Sequence, residues 1–159
     1  MENQRPTFLT VLCILTFIGS AWGIFGAYTN YSSAGFASGM GQDVIDQAKD
    51  QIESSAKSEK ESEFAGKILD SVSSNLTEKN IKDAAIASGI SSILTLIGAV
   101  LMWGLNKKGY WLYIIGIAVA IIAPMTIYDG IMSAAAGIGF GFFGAIFAVL
   151  YGLNLKHMH

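Results

Sequence analysis

The sequence predicts an all-α membrane protein: four transmembrane helices, with an extracytoplasmic amphipathic helical hairpin between the first and the second. Three observations carry that prediction. Hydrophobic residues make up 52% of the 159 residues and charged residues only 14%, against about 25% charged in a soluble domain. Four uncharged runs punctuate the chain, each near the length of about 20 residues that crosses a hydrocarbon core. Charge collects between the first two runs: ten of the twelve acids lie from Asp43 to Asp83, and from Ala84 onward only Lys107, Lys108, Asp129 and Lys156 are ionised.

The first transmembrane helix is placed in residues 1–29, with Thr7–Tyr28 uncharged. This run is too long for a typical signal-peptide core, so it reads as an uncleaved span. Cys13, the one cysteine, lies within it and reads as a small buried hydrophobe. Residues 30–83 form the extracytoplasmic segment. It opens with SSAGFASGMGQ, a stretch expected to be flexible. Apolar residues then recur at helical spacing as Val44/Ile45, Ala48, Ile52 and Ala56. Ser58-Glu59-Lys60-Glu61 fits a capping box. A second stripe follows at Phe64/Ala65, Ile68/Leu69, Val72 and Leu76. Both stripes are thin, so this hairpin is expected to need the membrane helices, another copy or a partner for stability. Val44, Ile52, Ile68 and Val72 are the candidate contacts for that partner. Thr77 caps a helix that can run straight into the second span.

Residues 84–159 hold the remaining spans, at about 84–105, 110–128 and 131–153, and a short tail. Asn106-Lys107-Lys108-Gly109 and Asp129-Gly130 read as the turns between them. Pro124 would break a soluble helix but is tolerated in a transmembrane one. Tyr28, Trp103, Tyr110, Trp111, Tyr128 and Tyr151 sit at run ends, as interfacial aromatics do. Four spans put both termini on one side, with Arg5, Lys107, Lys108 and Lys156 in its short segments. The positive-inside rule makes that side cytoplasmic. The six lysines of residues 30–83 count the other way, but they stand among ten acids.

The block from Arg5 to Ser20 (RPTFLTVLCILTFIGS), the turn from Lys107 to Tyr113 (KKGYWLY) and the ending Asn154-Leu155-Lys156 resemble small four-span inner-membrane proteins of Bacteroidetes bacteria. The resemblance covers the spans and leaves out residues 42–75. It implies a bacterial inner-membrane location and no mechanism. Asp70-Ser71-Val72 also resembles the O-glycosylation site of Bacteroidetes envelope proteins. Asn30-Tyr31-Ser32 and Asn75-Leu76-Thr77 match the N-glycosylation sequon. For Asp70-Ser71-Val72 a plain helix surface is the competing reading.

Gly139, Gly141 and Gly144 have the G-x-G-x-x-G spacing of a dinucleotide fingerprint. That chemistry needs a strand before the loop and an acid about 20 residues later. Met132-Ser-Ala-Ala-Ala precedes it, and no acid follows Asp129, so no cofactor is expected. Helix packing fits better, because small residues four apart let helices approach closely. Gly137, Gly141 and Ala145 mark one face of the fourth span, and Gly144, Ala148 and Gly152 a neighbouring one. Gly19, Gly23 and Gly26 repeat the theme in the first span, and Gly116 with Ala120 in the third. On this reading one face of the fourth span serves the bundle and the other is open to a second chain.

An acid within a membrane is a functional candidate, and Asp129 is the sole carboxylate after Asp83; interfacial turn chemistry is its plain alternative. Ser88, Ser91, Ser92 and Thr95 form a hydroxyl stripe that could line a polar path or bond neighbouring helices. His157 and His159, in a tail expected to fray, make no metal site, and no catalytic pair or triad is evident. No basic patch suits nucleic acid. The expected function is therefore a non-catalytic integral membrane interaction protein, a homo-oligomer or accessory subunit of a bacterial envelope complex, with membrane lipid and other membrane proteins as partners. A small channel or transporter, with Asp129, Ser88, Ser92 and Thr95 along its path, is the alternative.

Overall fold

A computed structural model describes residues 6–55 and 58–158; Arg5, Ala56 and His159 lie outside the described residues. Six α-helices follow one another: α1 (Thr7–Ser32), α2 (Ala34–Ser55), α3 (Glu59–Asn75), α4 (Glu78–Trp103), α5 (Lys108–Ile127) and α6 (Gly130–Leu153), with a short 3₁₀ turn at Leu155–His157. Helices α1, α4, α5 and α6 are long and apolar enough to cross a membrane.

The apolar runs locate these four helices but do not bound them. Helix α4 starts six residues before the uncharged run, at a cap where Thr77 Oγ1 accepts the Asn80 N–H at 3.1 Å. Its charged first turns are supported by Lys82–Glu78 at 2.5 Å and Lys79–Asp83 at 2.6 Å, pairs four residues apart on one helix face. Helix α1 likewise continues past Tyr28 to Ser32.

The stretch expected to be flexible is helical instead. Ser33 alone separates α1 from α2, and the amide ladder passes through it: Ser33 N–H donates to Thr29 O at 2.9 Å, and Ala37 N–H to Ser33 O at 2.8 Å. Each interior glycine costs a helix about 1 kcal/mol. Here tertiary packing offsets that cost. Ala34 is fully buried, Gly35 faces the Glu78 carboxylate, and Gly41 receives the Leu76 side chain, which would have to shift for any Cβ there. Gln42 clasps Ser73 twice, donating to its carbonyl at 2.8 Å and accepting from its hydroxyl at 2.7 Å. Further along, Ile45 is buried and Lys49 pairs with Asp70 at 2.7 Å. That hydrogen bond holds the Lys49 ammonium above the usual lysine pKa, against an opposing desolvation. At the start of α3, Ser58 Oγ accepts the Glu61 N–H at 3.3 Å, the capping contact that its sequence predicts.

Helix α4 packs along α1 on one side and α5 on the other, and α6 packs against α5. One end of this row is gathered by Leu9, Leu12, Cys13, Met102, Leu105, Tyr113, Tyr151 and Met158. The beginning of α1 and the end of α6 therefore lie together. The tail is not frayed up to Met158: His157 N–H bonds to Asn154 O at 3.0 Å, and Met158 is buried in the cluster. The α4–α5 turn is closed by bonds from Leu105 N–H to Met102 O and from Asn106 N–H to Leu101 O, both 2.9 Å. This is a Schellman closure, and Leu105, not Gly104, takes the left-handed position with φ 62°. Burial of the leucine side chain in the cluster offsets the strain of about 1–2 kcal/mol. At the opposite end, Asn75 joins α3 to the α5–α6 turn. Its side chain accepts the Asp129 N–H at 2.8 Å and donates to Asp129 O at 3.1 Å.

Candidate functional site

Among the glycines of the described residues, those that meet another helix's backbone lie at the α4–α5 contact, away from the G-x-G-x-x-G stretch. A methyl group on Gly98 would lie 2.8 Å from Gly109 O, and one on Gly116 would lie 3.1 Å from Ser91 O. In the sequence Gly109 was read only as part of a polar turn, and Gly98 was not singled out for packing. Ser91 Oγ then donates across the contact to Gly116 O at 2.7 Å.

Along α6, the two glycine faces read from the sequence merge into one seam. Gly137 meets Met125, Gly141 meets Ile121, Gly144 meets Ile117 and Gly152 meets Tyr110, all on α5. As the glycine numbers rise their partners' numbers fall, which is an antiparallel register. The spacings of four, three and eight residues follow a heptad-like stripe, so a face that appears double on paper is single in space. Ala148 is half-buried, while Ala145 is exposed and Gly139 has open space around it. In α1, Gly23 packs against the Ser92 side chain, whereas Gly19 and Gly26 have no atom within 4 Å of a built Cβ.

The hydroxyl stripe divides between helix pairing and a groove. Ser20 Oγ and Thr95 Oγ1 lie 3.1 Å apart between α1 and α4. Thr16 Oγ1 and Tyr151 Oη lie 2.8 Å apart between α1 and α6, with the Tyr113 ring edge-on to Tyr151 at 4.9 Å. Ser88 and Ser92 instead line a groove of about 350 Å³ between α1, α4 and α5, walled also by Gly23, Ala84, Ala120 and Tyr128. Asp129 is not among the groove residues. Its backbone is held by Asn75, and its carboxylate makes no capping bond to α6. The four residues suggested for a polar path are therefore not brought together: Asp129 sits in an interhelical turn and Thr95 in a helix contact.

Helices α2 and α3 redistribute the proposed partner contacts. Ile52 and Val72 are half-buried, whereas Val44 and Ile68 are exposed. Val44 (61% exposed) continues a row with Phe36 (72%) and Met40 (51%), and Phe64 is exposed beside Ile68. Residues four apart share a helix face, so Phe36, Met40 and Val44 form one apolar stripe. The spacing was present in the sequence but concealed by the glycines between.

Two of the glycosylation matches are engaged inside the fold. Ser71 Oγ is buried, against Gly130, and has no hydrogen-bond partner. Asn75 is almost wholly buried, with its amide committed to the Asp129 backbone. Asn30 is exposed. Compared with known protein families, curated proteins and solved structures, the chain finds no match in any of the three.

Proposed function

We propose that the chain is a non-catalytic integral membrane interaction protein, working as a homo-oligomer or as an accessory subunit of a bacterial envelope complex. The single observation behind this reading is the exposed stripe Phe36, Met40 and Val44 on α2. Scattered exposed apolar residues are ordinary; a contiguous apolar patch marks a contact surface. Val44 lies eight residues beyond Phe36, about 12 Å further along the helix, so the stripe spans two turns on the charged part of the chain and suits a protein surface.

On this reading α1, α4, α5 and α6 span the inner membrane. The end bearing Lys107, Lys108 and Lys156 is cytoplasmic, and α2 and α3 form an extracytoplasmic hairpin. Native mass measurement in mild detergent tests it. The expected result is a mass of two or more chains, or a complex of fixed composition, lost in a Phe36→Ser, Met40→Ser, Val44→Ser triple variant that elutes as a folded monomer. A strict monomer with no companion would overturn the reading.

A further inference from the structure

We infer that the groove between α1, α4 and α5 is a binding site for one acyl chain of a membrane glycerolipid. This rests on the four apolar helices lying in a bilayer and is independent of the α2 stripe. The groove runs along α4 from Ile81 to Ser92, a length of about 16 Å at the helical rise. Its volume of about 350 Å³ over that length makes it a long, narrow slot that suits an extended hydrocarbon chain better than a helix about 10 Å across.

The wall chemistry is graded along that length. Ala84, Ala85, Val119, Ala120 and Pro124 give an apolar middle, and the groove ends against Gly23. At the outer end stand the Asn30 amide and the Tyr128 hydroxyl, beside the turn at Asp129 and near the start of α4. Among the described residues neither side chain has a hydrogen-bond partner, and the same is true of the Ser88 hydroxyl. Pro124 withholds the N–H that would pair the Ala120 carbonyl. Asn30 and Ser88 are exposed and Tyr128 is half-buried, so these polar groups are open to a ligand that can bond to them. A glycerolipid supplies ester and glycerol oxygens at the height of Asn30 and Tyr128, and hydrocarbon below them. The acceptor oxygens take the Asn30 N–H and Tyr128 O–H donors, and the chain fills the space that small side chains leave between Ala84 and Gly23.

The test uses the full chain in phosphatidylglycerol liposomes containing a trace of phospholipid with a diazirine on its acyl chain. Carbonate extraction of the same preparation reports insertion. After photolysis, label is expected to concentrate on residues 84–92 and 119–124 over the outward face of α6. In Ala84→Phe and Ala120→Phe that label should fall about tenfold, the loss of roughly 1.4 kcal/mol of preference, while Ala145→Phe leaves it unchanged and all three variants elute like the parent chain. Label no richer in the groove than on α6, with insertion intact, would overturn the proposal. So would labelling by a diazirine fatty acid that phospholipid cannot compete away, or a disulfide dimer formed through Ala87→Cys. Failure to insert would overturn it together with the membrane reading.

Discussion

Replacing Gly109 by Ala tests the packing logic most directly. A Cβ at Gly109 would fall against Gly98 O, the Met102 amide nitrogen and Leu101 Cβ. Two of these are backbone atoms of α4, so no rotamer change relieves the overlap and the helices must separate. Overpacking of this kind costs about 1–3 kcal/mol. Separation also stretches the Ser91 Oγ–Gly116 O bond, now 2.7 Å; an interhelical bond in a membrane protein is worth about 0.6 kcal/mol on average. The expected loss is about 1.5–3.5 kcal/mol. It is read from SDS titration of the protein in mixed micelles, followed by far-ultraviolet circular dichroism. The control is Gly139→Ala, where a built Cβ meets nothing within 4 Å. Replacing an open helical glycine by alanine is expected to stabilise by about 0.5–1 kcal/mol. A Gly109→Ala variant within about 0.5 kcal/mol of the parent, or a Gly139→Ala variant as damaged as Gly109→Ala, would refute the assignment of the glycine-to-backbone contact to α4 and α5.

Thr16→Val and Tyr151→Phe should each destabilise by about 0.6 kcal/mol, and the double variant by little more than either, because both remove one bond; additive losses in the same titration would deny the pairing. Asn75→Ala leaves the Asp129 N–H without its partner, and the expected cost is about 1–3 kcal/mol, with protease sensitivity rising at the α3–α4 junction. In a glycosylating host, intact-mass mapping should find Asn75 and Ser71 unmodified in the folded chain; a glycan at either would contradict their burial. Asp129→Asn should leave ion flux in proteoliposomes indistinguishable from that of the parent; flux that appears with the parent and vanishes with the variant would favour the channel reading.

The four long helices were legible because uncharged runs near 20 residues have few other interpretations. Their ends were less so. Hydropathy is blind to charged first turns such as Glu78–Asp83, and it was the capping residue Thr77, read from the sequence, that marked the true start of α4. The start of α2 was misjudged for an energetic reason: propensity rates a segment with Gly35, Gly39 and Gly41 as a poor helix, and only the neighbours reveal that two of these glycines receive Glu78 and Leu76. Spacing by fours identified residues that do pack closely, such as Gly137 and Gly141, but could not say against what. Whether two glycine stripes count as one or two depends on the position of α5, which is a tertiary fact. Asn75 was noticed only as a sequon, because its partner is backbone 54 residues away and nothing local marks such a bond.

The joining of α1 to α6 through Thr16 and Tyr151 has a consequence for biogenesis. Domains made on the ribosome acquire structure from the N-terminus onward, so α1 is made before α4, α5 and α6. Its Ser20 hydroxyl waits for Thr95, and its Thr16 hydroxyl waits until the last helix has been made. The pairs α4–α5 and α5–α6 are neighbours in sequence and can zip together as they emerge. The completion of α6 brings Tyr151 back to α1 and seats Met158 in the cluster that holds Leu9. The C-terminus is thus the clasp of the bundle, and a chain stopped before Tyr151 would keep every apolar helix yet lack the fastening between its two ends.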